Sequence, residues 1–272
     1  MPDANPNILL SVKADENENR LLEILKMRYR KNRLALIIRI LQLESSPHML
    51  LQSLDLNDFR YLLDDTIDVD EIDIADYSGE VKSLIHSCSD TTKFRQCVET
   101  ARDLALEDKT VVIWCVFIDS INRISKALEQ HGIATRCIYG EVDLEERQRI
   151  LADFKDGKFS VLLTNPHTLA ESVSLHSVCH DAIYFEYSYN LVHLLQSKDR
   201  IHRLGLSKGQ YTQYYFLQTN YDTEYGEWLM GSVIYQRLME KEQIMLDAID
   251  NHVLEAMPTS DEDLDAIFAR FK

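Results

Sequence analysis

The sequence predicts an α/β fold: a parallel β-sheet covered by helices, preceded by a helical subdomain and followed by C-terminal helices. Three observations predict it. From Lys109 onward, short apolar runs alternate with amphipathic stretches of helical length. The runs are apolar almost throughout, the pattern of parallel strands buried on both faces, where one-sided strands would alternate apolar with polar residues. Before Lys109, and again from about Tyr225, apolar residues recur with helical spacing instead. The expected division is a helical subdomain with an acidic connection over 1–107, a sheet-containing lobe over 108–222 and a helical extension over 223–272.

Residues 17–44 read as one helix, with Leu21, Leu22, Leu25, Leu36, Ile37, Ile40 and Leu41 on one stripe. Pro47 ends the pattern, because the residue before a proline is driven out of the helical region. Residues 64–76 are acidic and aperiodic, as expected of an exposed connection, and a further helix is expected from about Thr91 to Leu106. TVVIWCVF is the first strand, followed by a helix near Ser120–His131 that stops at Gly132. ATRCIY, FSVLLT and DAIYFEY are the next three strands, with a helix over Leu144–Phe154 after the first of them. Asn190–Leu204 is a helix, Gly205 and Gly209 punctuate a turn, and QYTQYYFL is a strand. A helix over Tyr225–Asp250 and a short amphipathic segment, LDAIFARFK, complete the chain.

Composition excludes several classes. No apolar run is long enough to span a bilayer, since LALIIRILQL is broken by Arg39 and Gln42. The N-terminus lacks the basic-then-apolar layout of a signal peptide, so a soluble intracellular protein with no membrane partner is expected. The five cysteines are odd in number and scattered, which predicts reduced, mostly buried thiols. A net charge of −16 argues against a phosphate ligand until its distribution is considered. Residues 55–80 hold ten acids against one base, and 240–265 hold nine against one, so the remaining chain is close to neutral. The acidity is confined to two patches, expected to aid solubility, and leaves room for a local basic groove. The basic residues Arg28, Arg30 and Lys31, interleaved with Tyr29, are candidate nucleic-acid contacts; the plainer alternative is a solvated helix face.

The sharpest local signal is QSKDRIHRLG, residues 196–205. On a helix, Gln196, Arg200 and Arg203 share one face, opposite Leu191, Leu194, Leu195 and Ile201. Two guanidiniums and an amide would be presented together. A guanidinium is a planar fork of donors suited to phosphate and able to stabilise charge in phosphoryl transfer. Alone, the same pattern also fits a solvated arginine face.

This string resembles motif VI of SWI/SNF-type superfamily 2 ATPases, Q-x-x-D-R-x-H-R-x-G. Other segments resemble that family in its order: KTVVIWCVF its motif IV, and YGEVDLEERQRILADFKDGKFSVLLTN its glycine, its glutamate-arginine helix and the following strand. NPHTLAESVSLHSVCHDAIYFEYSYN resembles motif V and the link to motif VI, and RYRKNRLALIIRILQLESSPHMLL the helix preceding this lobe. The resemblance implies a RecA-like second lobe, with ATP and Mg held mainly by an N-terminal RecA-like P-loop lobe on the same or another polypeptide. Arg203, and with it Arg200, would act as catalytic arginines. Gln196, Glu171 and Gly205 would lie at the nucleotide or lobe interface. Motif V, through Asn165, Thr168 and Ser174, would meet double-stranded DNA. The chain departs from the family at Leu169–Ser172, where a Gly-Gly-Glu-Gly run is common, and at Ser174, where Asn is usual.

The phosphate cradle GxxxxGK[ST] is absent from this sequence, so no ATP hydrolysis by the chain alone is expected. Asp70–Asp73 mimics a metal-binding DExD box but lacks the apolar strand before it, and is read as solvated loop. His176, Cys179 and His180, with His167 nearby, crowd too closely for a structural zinc site, whose four ligands come as separated pairs. No metal site is expected. Two functions remain open: a motor lobe of a DNA-translocating ATPase, or a non-catalytic RecA-like protein-interaction module. An RNA helicase lobe is a third class, but it usually carries His-Arg-x-Gly-Arg, whereas Leu206 follows Gly205 here.

Overall fold

The computed structural model describes residues 4–55, 72–73, 76–166, 168–169, 173–203, 205–206, 209–223, 226–251 and 256–269. In chain order the first elements are β1 (Ile8–Lys13), α1 (Glu16–Tyr29), α2 (Arg33–Ser45), a 3-10 turn (Pro47–Leu51), β2 (Leu54–Asp55) and β3 (Ile72–Asp73). Then come α3 (Gly79–Ser87), α4 (Thr92–Leu106), β4 (Val111–Trp114), α5 (Ile118–Gln130), β5 (Thr135–Ile138), α6 (Leu144–Lys155) and β6 (Val161–Thr164). The remainder are β7 (Asp181–Tyr184), α7 (Leu191–Ile201), β8 (Gln213–Thr223), β9 (Gly226–Trp228), α8 (Met230–Asp250) and α9 (Ser260–Phe268). The chain forms two units, one of residues 1–10, 93–187 and 192–217, the other of 11–92, 188–191 and 218–272. The N-terminal and C-terminal helical segments, separate in the linear reading, thus contribute to one unit, and most of α4 goes with the sheet.

The sheet follows the order β1-β8-β7-β4-β6-β5, with β9 paired to β8. β4, β5, β6, β7 and β8 pair in parallel, and the registers Val111↔Val161 and Val111↔Asp181 set β4 at the centre. β4, β6 and β7 are buried at every position, as continuous apolar runs require of strands covered on both faces. On one face Val111, Ile113, Leu163 and Ile183 pack with Phe94, Cys97 and Ala101 of α4 and Ile121, Ile124 and Leu128 of α5. The alternate residues turn the other way. There Tyr184 stacks on Phe216 at 4.5 Å and 4°, and its hydroxyl meets Ser197 Oγ of α7 at 2.8 Å. Tyr214 Oη donates to Lys198 O at 3.1 Å. These aromatic contacts dock α7 on the sheet, with Leu194, Ser197 and Ile201 as its buried stripe.

α5 begins at Phe117, which has no side chain able to cap it. The fully buried carboxylate of Glu186 does so from a distance in sequence. It accepts from Val116 N at 2.6 Å, Phe117 N at 2.9 Å and Ser120 Oγ at 2.5 Å.

In the second unit, the helix expected over 17–44 is two helices. Asn32 accepts from Ala35 N at 3.0 Å and starts α2, so the chain turns at Arg30–Asn32. A helical stripe of apolar residues continues through such a break, which is why periodicity alone misses it. Arg39 is fully buried and donates to Gln42 Oε1 (3.0 Å), Met49 O (3.3 Å) and Gln52 O (3.0 Å), pinning the 3-10 turn that starts at Pro47. The acidic C-terminal patch does more than face water. Asp263, only 2% exposed, is held by Lys241 and, at 3.1 Å, by Arg237 Nε, which seats α9 on α8. Asp265 pairs with Arg33. The acidic stretch 64–76 lies outside the described residues except for Ile72, Asp73 and Asp76, the first two pairing with Leu54–Asp55 as a short antiparallel ladder. The helix expected over Tyr225–Asp250 starts later, because Gly226–Trp228 pairs back on β8 before α8 begins. Among the described residues no helix is long and apolar enough to cross a membrane.

Candidate functional site

The site grows from the way a parallel sheet is wired. β7 and β8 run parallel, so α7 must return the chain from the end of β7 to the start of β8. Its C-terminal turn therefore lies toward the edge where the strands begin. The long segment between β6 and β7 makes the same traverse, leaving the end of β6 near Asn165 and arriving at Asp181. Its last residues meet the end of α7 at that starting edge.

The meeting is specific. Arg200 is 8% exposed, and its guanidinium faces carbonyls of this chain: Nε donates to Gln196 O at 2.9 Å and Nη1 to Val173 O at 3.1 Å. Leu175 N donates to Arg200 O at 2.8 Å, so α7 grips the segment at 173 and at 175. Burial first, and then the charge of Arg203, lower the pKa of Arg200, with Asp199 opposing. The expectation that Gln196, Arg200 and Arg203 share one presented helix face is corrected on two counts. α7 ends at Ile201, so Arg203 lies beyond the helix, and Arg200 is turned inward onto backbone oxygens. The Arg203 side chain is exposed and, among the described residues, makes no hydrogen bond or ion pair. Gln196 is half-buried one turn before Arg200.

Gly205 closes the turn after Arg203 with φ +115°, a conformation open to glycine at little steric cost. A Cβ there would meet His176 Nε2 at 3.1 Å, and His176 Nδ1 hydrogen-bonds Ser174 Oγ. Sequence reasoning considered His176 only for zinc and missed this contact; its place two residues after Ser174 was the available signal.

Ser174 lies with Arg200 and Gly205, and Asn165 and Thr168 lie where β4 and β6 end. Asn165 Nδ2 donates to Cys115 O (3.3 Å) and Val116 O (3.2 Å), and its Oδ1 accepts from Thr168 Oγ1 at 3.3 Å. The Asn165 amide is thus engaged with the loop leading to α5. Thr168, Leu169 and Val173 line a cavity of about 400 Å³ with Ile138, Leu144 and Arg147. Glu171 lies outside the described residues, as do His167 and Asp70–Glu71.

In the second unit, Arg28 is exposed, donates to Asp76 O at 2.7 Å and sits 4.7 Å from the Tyr77 ring centroid. Arg30 and Lys31 are exposed in the turn between α1 and α2, off the helix expected to carry them.

Cys179 points into the core, its Sγ 3.4 Å from Thr110 O, and burial pushes its thiol up to about 12, which opposes the thiolate a metal needs. Among the described residues no three His, Cys, Asp or Glu side chains converge as a metal site would need. Cys115, beside the Asn165 contact, is fully buried with its thiol pKa raised by burial.

Residues 92–205 match the family model of the helicase conserved C-terminal domain. The whole chain is similar to the C-terminal part of the Fun30 ATPase domain, with TM-score 0.62 and 14% identity over 98% of this chain and 99% of that one. It is similar to the Sulfolobus solfataricus SWI2/SNF2 ATPase core in complex with dsDNA, with TM-score 0.58 and 15% identity over 96% of this chain and 50% of that one. It is also similar to the SWI2/SNF2 ATPase C-terminal domain of the same organism, with TM-score 0.51 and 13% identity over 96% and 98%. No curated protein matches the chain in sequence.

Proposed function

For a chain whose residues 92–205 are a helicase conserved C-terminal domain, on the RecA-like fold of SWI2/SNF2 C-terminal lobes, we propose the role of second motor lobe in an ATP-dependent DNA translocase. The observation that carries the reading is the asymmetry of its two arginines. Arg200 is held inward and fixes the segment 173–175, while the Arg203 side chain, two residues beyond the helix, is an exposed cation with no partner among the described residues.

That arrangement fits a nucleotide held mainly by another lobe. ATP with Mg would supply the phosphoryl group whose transfer drives the cycle. This chain's part is to bring a preorganised guanidinium to developing negative charge, where electrostatic stabilisation contributes most of the rate in phosphoryl transfer. Arg200 orients it by anchoring α7 to the motif V segment. Gln196 and Gly205 flank the pair, and Glu171 is placed by resemblance on the same segment. Double-stranded DNA is proposed as the track, consistent with the dsDNA complex of the structurally similar Sulfolobus core. Thr168 and Ser174 are the motif V hydroxyls available to it, and Arg30 and Lys31 are exposed cations of the second unit.

The test is reconstitution with the P-loop lobe encoded in the same or the adjacent gene. DNA-stimulated ATP hydrolysis should appear in the mixture and fall roughly 10³-fold or more in Arg203→Ala. Equal rates for wild type and variant would remove the finger assignment. Absence of hydrolysis in every mixture, with binding to a basic protein insensitive to Arg203→Ala, would favour the interaction-module reading.

A further inference from the structure

Among the described residues, the segment that precedes β7 meets the finger region through backbone groups and through one side chain. Arg200 holds Val173 O and Leu175 N, as described. The side chain is the imidazole of His176, half-buried between Ser174 Oγ on one ring nitrogen and the bare α-carbon of Gly205 on the other side. The ring fits because position 205 has no side chain: a Cβ would press to 3.1 Å on Nε2, tighter than ordinary contact. Gly205 also has the positive φ that ends the turn carrying Arg203, with Leu206 N reaching back to Arg203 O at 3.4 Å. The ring is therefore a spacer whose position is dictated by Ser174 and whose far face defines where the turn can lie.

We propose that His176 is a positioning residue that couples Ser174 to the arginine turn. Held by Ser174 and seated on Gly205, it sets where Gly205 and Leu206 lie and passes a displacement of Ser174 on to Arg203. Resting on the motor-lobe reading, this makes Ser174–His176–Gly205 the link by which contact of motif V with nucleic acid adjusts the finger. The ring meets both neighbours, Ser174 through a hydrogen bond and Gly205 through the room its missing side chain leaves, so a shift of one is felt at the other.

The experiment has two arms. In the first, amide hydrogen exchange is followed in the full chain alone for wild type, His176→Ala, His176→Gln and Ser174→Ala. Exchange at Gly205 and Leu206 should quicken roughly tenfold in the two alanine variants, with the core strands unchanged, and His176→Gln should restore most of the protection. In the second, the same variants are mixed with the P-loop lobe. The DNA-stimulated kcat of His176→Ala should fall roughly 10–100-fold while the KM for ATP stays within about twofold, because the nucleotide is held mainly by the other lobe. Unchanged exchange at Gly205 and Leu206 overturns the proposal. So does a loss of rate that follows global stability and is not rescued by Gln. If exchange responds as expected while the wild-type mixture shows no hydrolysis, the motor-lobe reading fails and the turn-setting role of His176 stands.

Discussion

Arg200 and Arg203 are three residues apart and carry the same charge, and helical spacing alone would place them on one face. The structure assigns them opposite energetics. Removing the Arg200 side chain deletes the donation to Val173 O, which spans 27 residues, and the local donation to Gln196 O. A hydrogen bond from a charged donor contributes about 1.5–3 kcal/mol, and the Val173 carbonyl is left short of a partner. The Gln196 carbonyl keeps its helical partner, so its loss counts for little. Arg200→Ala should therefore destabilise the sheet-containing unit by about 2–4 kcal/mol. Arg200→Lys, which replaces a planar fork by a single ammonium, should recover roughly half. Arg203→Ala should stay within about 0.5 kcal/mol of wild type, as exposed substitutions without partners do. The assay is urea unfolding followed by fluorescence of Trp114, which is fully buried on β4, in a Trp228→Phe background that silences the second tryptophan. Equal destabilisation by the two alanine variants, or a larger effect at Arg203, would refute the division of labour proposed for them.

Three further outcomes follow from the same coordinates. Burial raises the pKa of Asp181 above its usual 3.8, against the lowering effects of Tyr211, Lys109 and Tyr215. The folded state thus binds that proton more tightly, so this contribution to stability is full below the unfolded pKa and is lost as pH rises through the folded one. Asp181→Asn, whose amide can still bond the two tyrosines, should be at least as stable as wild type at pH 7, the difference vanishing below the usual carboxylate range in urea titrations at stepped pH. Glu186→Ala leaves Val116 N, Phe117 N and Ser120 Oγ without their acceptor, and should cost about 3–5 kcal/mol by the same Trp114 assay; a loss below ~1 kcal/mol would mean water caps α5 equally well. Asp263→Asn strips the carboxylate from Lys241 and Arg237 and should release α9, read as faster proteolysis within residues 256–269 while Trp114 unfolding is unmoved.

Much of this fold is legible without coordinates because its signals are local. Short, β-branched apolar runs such as VVIW and VLLT read as strands buried on both faces, and the helices between them favour parallel pairing. The arginine string is legible for the same reason, being ten contiguous residues. What sequence alone determined was therefore the element types from Lys109 to the arginine helix, the sheet class and the position of the candidate finger; β1, a strand of the same sheet, lies in the stretch read as helical. The tertiary structure decided where the chain turns at Asn32, that Gly226–Trp228 pairs on β8, and that Asp263 is buried while Glu262 and Asp265 are exposed. It also decided which arginine faces out and that a histidine lies against Gly205. Each of these depends on a partner distant in sequence or on burial set by several elements at once. Periodicity reports the side of a helix that is apolar; it carries no record of which carbonyl, ring or carboxylate the fold will bring to that side.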